Sequence, residues 1–214
     1  MKFQKFQMVP ATLVAACCLL VSMGCEVRTR SNSGPKELAT LDESTRPKIG
    51  FITNCVASFW VIAEKGVEKG AEEFNADAEV LMPQEGGAVT QKAMLEDLVS
   101  RGVDGIAITA IDPQNQTPLL DEIADQTRLI CHDSDAPKSK RLCYIGMDNY
   151  DAGLMVGKIL RRALPDGGKV AIFVGRVEQD NGRRRRQGTI DGLLDRPRNP
   201  DGFYSMNEVI KEDG

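Results

Sequence analysis

Lys48-Ile-Gly-Phe-Ile-Thr-Asn54 followed by Cys55-Val-Ala-Ser-Phe-Trp60 is the stretch on which the fold turns. Residues 49–53 are apolar or small without polar alternation, as in a strand covered on both faces, and the run empties into a polar Asn54. From Phe59 the period changes. Trp60, Ala63, Val67, Ala71 and Phe74 recur at helical spacing, with Glu64, Lys65, Glu68, Lys69, Glu72 and Glu73 on the opposite side. A buried strand leading into an amphipathic helix over 59–74 is the opening unit of a parallel α/β sheet.

The same alternation continues downstream. Strands are predicted over 79–82, 104–109, 129–131 and 142–146, separated by helices over 88–101 and 113–126. Met94, Leu95, Leu98 and Val99 face inward on the first of these helices, and Gly102 ends it; Leu119, Leu120 and Ile123 face inward on the second. Strands apolar on both faces with helices between them predict a doubly wound parallel sheet. A helix over 152–164 with Gly153, Val156, Gly157, Leu160 and Leu164 inward, a strand over 169–174, a helix over 183–194 and a strand over 204–210 begin a second, partial unit. The organisation expected is a first lobe over 48–147 and part of a second over 148–214.

The N-terminus reads differently. Lys2 and Lys5 precede a mostly apolar run over 9–21, and Ser22, Met23 and Gly24 are small or slim residues before Cys25, so 1–24 is expected to be a cleaved export signal. A Cys directly after the small residue resembles the bacterial lipoprotein box, which implies lipidation at Cys25 and a membrane anchor. Residues 25–47, with Ser31, Asn32, Ser33, Gly34 and Pro35, form the expected tether. Ser22 stands where such boxes usually carry Leu.

Charge and composition narrow the partners. Removing the signal takes two lysines from the 27 basic residues and nothing from the 31 acidic ones, leaving 25 against 31, a net charge of −6 that argues against nucleic acid. Beyond the signal and Cys25, three of the six cysteines remain, Cys55, Cys131 and Cys143; an odd set without zinc spacing is expected to be buried thiols rather than disulfides or a metal site. The chain contains no G-x-G-x-x-G, G-x-x-x-x-G-K-[ST] or G-x-S-x-G run, and His132, the single histidine, has no nucleophile beside it. Neither an enzyme nor a cofactor is expected.

Open parallel sheets bind ligands beyond the carboxyl ends of their strands. There the sequence places Thr53 and Asn54, then Thr109 and Asp112, then His132, Asp133 and Asp135, groups that exchange hydrogen bonds with sugar hydroxyls; Phe59 and Trp60 offer ring faces for a sugar's C–H face. Each has a plainer reading: Asn54 or Ser58 capping the first helix, Asp112 capping the third, Trp60 lying on the core stripe. Asp133 and Asp135 repel one another unless something uses them.

These pieces in order resemble the periplasmic sugar-binding proteins of the ribose-binding type, the substrate-binding components of ABC importers. The resemblance runs from about Lys48 to the C-terminus. It rests on Lys48-Ile-Gly-Phe-Ile-Thr-Asn with Phe59-Trp60, Gly102-Val-Asp-Gly-Ile-Ala-Ile-Thr, Leu129-Ile-Cys-His-Asp-Ser-Asp, Ile145-Gly-Met-Asp-Asn149 with Gly153, and Asn181-Gly-Arg183-Arg-Arg-Arg-Gln-Gly188. It implies stacking of a monosaccharide on Phe59 and Trp60, hydrogen bonds between its hydroxyls and the side chains of Asp133 and Arg183, and a crossing between lobes at Asp148 and Asn149. An ABC permease is the implied partner, and the periplasm or the outer cell-envelope surface the implied location. Ala57 and Ser134 depart from the family pattern, which usually has Asn and Arg there. A sugar sensor feeding a membrane receptor or histidine kinase shares these features. The lactose-type repressors share the fold but need a helix-turn-helix where this chain has its signal. Of the four adjacent arginines, Arg183 to Arg186, only one or two can face a cleft; the others are solvated or pair with Glu178, Asp180 and Asp191. Two strands and two helices are a thin second core, so the chain reads as truncated in its second lobe, and the 214-residue product is expected to bind sugar weakly or not at all, as a non-binding remnant in the limit.

Overall fold

The computed structural model describes residues 45–84 and 87–202. The expected export signal, Cys25, the expected tether up to residue 44 and the strand expected over 204–210 lie outside the described residues.

Strand β1 (Lys48–Ile52) leads into helix α1 (Ser58–Glu73), then β2 (Asp77–Leu81), α2 (Ala88–Ser100), β3 (Gly105–Ile108), α3 (Pro113–Ala124), β4 (Arg128–His132) and the two-residue β5 (Tyr144–Ile145). All four pairings are parallel, in the order β2-β1-β3-β4-β5. The chain leaves β1 for β2 on one side and returns to β3 on the other, so the topological switch lies between β1 and β3. Every residue of β3 is buried, as a central parallel strand requires.

Ile52, Leu95, Leu98, Ile108 and Leu120 are fully buried and Ile106, Ile123 and Leu129 nearly so. Each such side chain contributes roughly 2 kcal/mol through removal of apolar surface from water. Helix α2 packs on β1 and on α3, α3 also packs on β4, and α1 lies against β2. Both N-caps of α1 and α2 are backbone-only: Ala57 precedes α1 with no side-chain cap, so neither Asn54 nor Ser58 plays the capping role open to it from sequence.

Beyond β5 the chain forms α4 (Asn149–Ala163) and α5 (Asp180–Leu193). Their axes approach at backbone contact. A Cβ on Gly153 would stand 2.1 Å from the Arg185 carbonyl oxygen, on Gly157 2.2 Å from that of Thr189, on Gly188 2.1 Å from that of Tyr150, and on Gly192 2.4 Å from that of Leu154. Glycine four residues apart on both helices lets each backbone sit in the other's notch. The inward face predicted for α4 is thus half right: Gly153 and Gly157 are buried, whereas Val156 is half exposed.

Residues 169–174 correct a second expectation. They form no strand, because a strand exists only through its ladder and none of the described residues pairs with them. Phe173, in this segment, is 93% exposed.

Candidate functional site

The carboxyl ends of β1 and β3 are tied from below by Gln91 of α2, a fully buried amide. Its Nε2 donates to the carbonyls of Thr53 and Thr109, both at 2.8 Å, and its Oε1 accepts from Gln116 Nε2 at 2.9 Å. Gln116 Oε1 in turn accepts from the backbone N–H of Ile111 (3.0 Å) and Asp112 (2.8 Å). Four strand-end groups at the switch point are satisfied by two glutamines, which fixes the floor of the crevice. Sequence reasoning missed both. A signal existed, since Gln91 stands one turn before Leu95 on the inward stripe of α2.

Above this floor lies an aromatic cluster. Trp60 is 4% exposed, with edge contacts to Phe51 (6.4 Å, 65°), Phe59 (4.8 Å, 76°) and His132 (5.5 Å, 78°). His132 stacks on Phe51 at 4.0 Å and 22°. A ring nitrogen of His132, Nδ1, lies 3.0 Å from Thr109 Oγ1. Burial pushes its pKa down to about 4, so the imidazole is neutral at pH 7. Asn54 Oδ1 accepts from the Trp60 indole N–H at 2.8 Å and from the Cys55 thiol at 3.3 Å. The two aromatic candidates therefore separate: Phe59 is 61% exposed, whereas Trp60 is a core ring whose polar edge is spent on Asn54.

Asp133 leaves β4 in the left-handed region, φ 58°, a conformation that costs energy for a residue with a side chain and recurs at functional positions. Its carbonyl accepts from Tyr144 Oη at 2.8 Å, and its Oδ2 accepts from Asn181 Nδ2 of α5 at 3.2 Å. Burial raises the Asp133 pKa, and the Arg185 guanidinium pulls it partly back. A half-buried carboxylate at a strand end thus faces an amide and a guanidinium from a different part of the chain.

The other candidates are less available. Asp135 is buried, with its carboxylate gripped by the Arg141 guanidinium through Nε and, at 2.6 Å, through Nη2, and it accepts from the Ala136 N–H at 2.8 Å. What uses the second carboxylate is Arg141, which closes the 133–141 loop; Asp135 is structural. Asp112 caps α3, accepting from the Asn115 N–H at 3.2 Å and its amide at 2.6 Å, although it also lines a cavity of about 630 Å³ shared with Lys138, Glu178 and Arg183. Arg183 pairs with Asp180 at 2.9 Å and Arg184 with the other oxygen of that carboxylate at 2.7 Å, as the charge run suggested. Arg185, not Arg183, is the arginine whose charge reaches Asp133. Its Nε donates to Asn149 Oδ1 at 2.7 Å. Asn181 and Arg185 are four residues apart, on one face of α5, and that spacing was the available signal.

At the crossing, Asp148 caps α4 by accepting from the Asp151 N–H at 2.9 Å and pairs with Arg198 at 3.4 Å. Asn149 is buried; its amide donates to Tyr144 Oη (3.2 Å) and the Met147 carbonyl (3.3 Å) while its oxygen accepts from Arg185. It joins β5 to α5. Of the three thiols expected to be buried, Cys131 alone is; Cys55 is half-buried and Cys143 exposed. Burial raises the Cys131 pKa to about 11, which leaves it an unreactive thiol. Among the described residues no group of three or more His, Cys, Asp or Glu could hold a metal ion.

The model of the family described as periplasmic binding protein domain matches residues 49–212. The ribose import binding protein of Bacillus subtilis (strain 168) is 26% identical over 146 residues, 68% of this chain and 45% of that protein. Among solved structures, an ABC transporter solute-binding protein from Burkholderia graminis C4D1M in complex with D-arabinose superposes with a TM-score of 0.68 at 30% identity, covering 73% of this chain and 55% of the other. A glucose-galactose binding protein from Geobacillus stearothermophilus superposes with a TM-score of 0.66 at 26% identity, covering 70% and 54%. The chain spans about half the length of these relatives. With its parallel sheet in the order β2-β1-β3-β4-β5 and polar groups gathered at the strand ends, the chain belongs to the periplasmic binding protein domain family.

Proposed function

We propose that the protein is an exported sugar-binding protein, which takes a pentose or hexose at the carboxyl ends of β1, β3 and β4 and passes it to an ABC importer. The observation that carries this reading is the pairing of Asp133 with Asn181, beside Arg185: a desolvated, strained strand-end carboxylate whose partners come from α5. A carboxylate accepts from two sugar hydroxyls and a guanidinium or amide donates to others, so the three together form a site for a polyol. The Trp60–His132 ring contact supports it by bringing the aromatic pair after β1 to the end of β4, which Asp133 follows. The relative solved in complex with D-arabinose supports a monosaccharide as ligand.

In this reading residues 48–147 are the sugar-binding lobe, 148–214 belong to the second lobe, Asp148 and Asn149 form the crossing on which the lobes move, and Cys25 holds the protein to the cell envelope. Sugar would displace Asn181 from Asp133, and closure would carry α5 onto the ligand. Asn54, Asp112 and Asp135 are reassigned to support, with Phe59, Asp133 and Arg185 as the principal contacts and Arg183 at the wall of the neighbouring cavity. The described part of the second lobe offers two helices and no sheet, so the affinity expected of the 214-residue chain is weak, on the order of millimolar.

The test is a thermal-shift screen of the mature chain against D-ribose, D-arabinose, D-glucose, D-galactose and D-allose at about 50 mM, where mass action raises the melting point for a millimolar ligand. A rise with at least one sugar, lost in Asp133→Ala, is the expected result. No rise with any of them, or turnover of a sugar, would remove the proposal.

A further inference from the structure

We propose that His132 is a positioning residue for the sugar platform: it seats the edge of Trp60 against the sheet, so that Phe59, and not Trp60, is the ring on which a sugar stacks. The inference rests on the sugar-binding reading above.

Three constraints fix the arrangement. The imidazole plane is set by stacking on Phe51 at 4.0 Å and by the Thr109 hydroxyl at 3.0 Å from Nδ1. The indole meets that ring edge-on at 5.5 Å and 78°, and its N–H is anchored on Asn54 at 2.8 Å. Phe59 rests edge-on against the indole at 4.8 Å and 76°. Exposure then decides between the two aromatics: a ring 4% exposed has no face left to offer, while one 61% exposed does. Thus Phe51 and Thr109 hold His132, His132 and Asn54 hold Trp60, and Trp60 backs Phe59. Nothing in the aromatic pair itself distinguishes its members; the histidine behind them does.

The contact is directly readable because the chain has one tryptophan and one histidine. From β1, α1 and the residue after β3 the groups against the imidazole are Phe51, the Ile52 backbone, Trp60 and Thr109, none of which titrates in acid. On its own strand the titratable neighbours are Cys131, whose thiol stays protonated, and Asp133.

Trp60 emission is to be followed from pH 7 to 3.5 in the mature chain and in His132→Phe, which keeps a flat ring without a proton to gain. Quenching of roughly twofold in the wild type, with a midpoint near the His132 pKa of about 4 and absent from His132→Phe, is expected. Binding of D-arabinose, followed by calorimetry, should weaken roughly tenfold in Phe59→Ala and in His132→Ala, yet stay within about twofold of wild type in His132→Phe. If His132→Ala does not fold, His132→Leu, which fills the space without a flat ring, replaces it. The same quenching in His132→Phe, a wild-type emission that does not change with pH, or undiminished binding by Phe59→Ala would overturn the proposal. Failure of every sugar to bind the wild type removes the sugar-binding reading and the platform with it; a wild type that binds while His132→Ala binds equally well removes the positioning role alone.

Discussion

The sheet region, residues 48–145, and the α4–α5 pair hide their interiors by opposite means. In the first, aliphatic side chains such as Ile52, Leu98 and Ile108 are sealed between strands and helices. In the second, the buried positions are mostly glycine and polar: Gly153 and Gly157 meet α5 backbone, while Tyr150 Oη donates to Asp191 at 2.7 Å and accepts from the Asn199 N–H at 2.8 Å. Three apolar side chains of α4 point outward, Met155 at 65% exposure and Val156 and Ile159 at 49%. The sheet region draws its stability from apolar burial, which tolerates modest volume changes. The helix pair draws it from backbone proximity, which tolerates none. The groups proposed to bind sugar sit where the two meet, at Asp133–Asn181 and Asn149–Arg185.

The sharpest way to break this comparison is Gly157→Val. With carbonyl oxygen 2.2 Å from the first added atom, and backbone unable to give way, the helices must part, at a cost expected to exceed about 3 kcal/mol. Denaturation followed by far-UV circular dichroism should show α4 and α5 lost while Trp60 emission in the sheet region stays native. Unaltered stability would mean that the two helices do not touch as described.

Acid should act on the other side. The His132 pKa of about 4 lies below its ordinary 6.5, so the unfolded chain takes the proton first as pH falls. The stability due to neutral His132 is complete above about pH 6.5 and is lost between there and pH 4, up to about 3 kcal/mol. Asp133 works in the opposite sense: its pKa is raised, so folded protein gains the proton first and recovers part of the loss at the acid end. The urea midpoint should fall less between pH 7 and pH 4.5 in His132→Phe than in the wild type; equal losses in both would refute the assignment.

The smallest effect is expected on the outward face of α4. Replacing Val156 and Ile159 by Ser should change stability by no more than about 0.5 kcal/mol each, because both are already half in water. A loss several times larger in a urea titration would mean that these side chains are covered in solution, and the contrast between the regions would narrow.

Periodicity carried the reading of most elements. All five strands of the sheet and the three helices between them fall where the apolar spacing put them, within a few residues, whereas the strand order that sets the switch point is seen only in the structure. The segment over 169–174 is the instructive failure. Its composition is that of a buried strand, but strandness is a property of a pair, and a sequence window holds one member only. The site divides similarly. Phe59 and Asp133 were expected near the strand ends from the residues and Arg183 from the family resemblance, yet the division of labour among such groups was invisible. Asp135 belongs to Arg141 six residues on, Asn54 to Trp60, and Asp180 to two arginines, leaving Arg185 for Asp133.

By itself the sequence determined the element order, the parallel sheet and the edge on which polar groups collect, since each depends on local spacing and on the few topologies that bury such spacings. Tertiary structure decided which ring is open, which carboxylates are taken and how closely α4 and α5 approach. Those outcomes depend on distances between residues far apart in the chain, set by backbone geometry at positions such as Asp133 and Gly157 that no periodicity encodes.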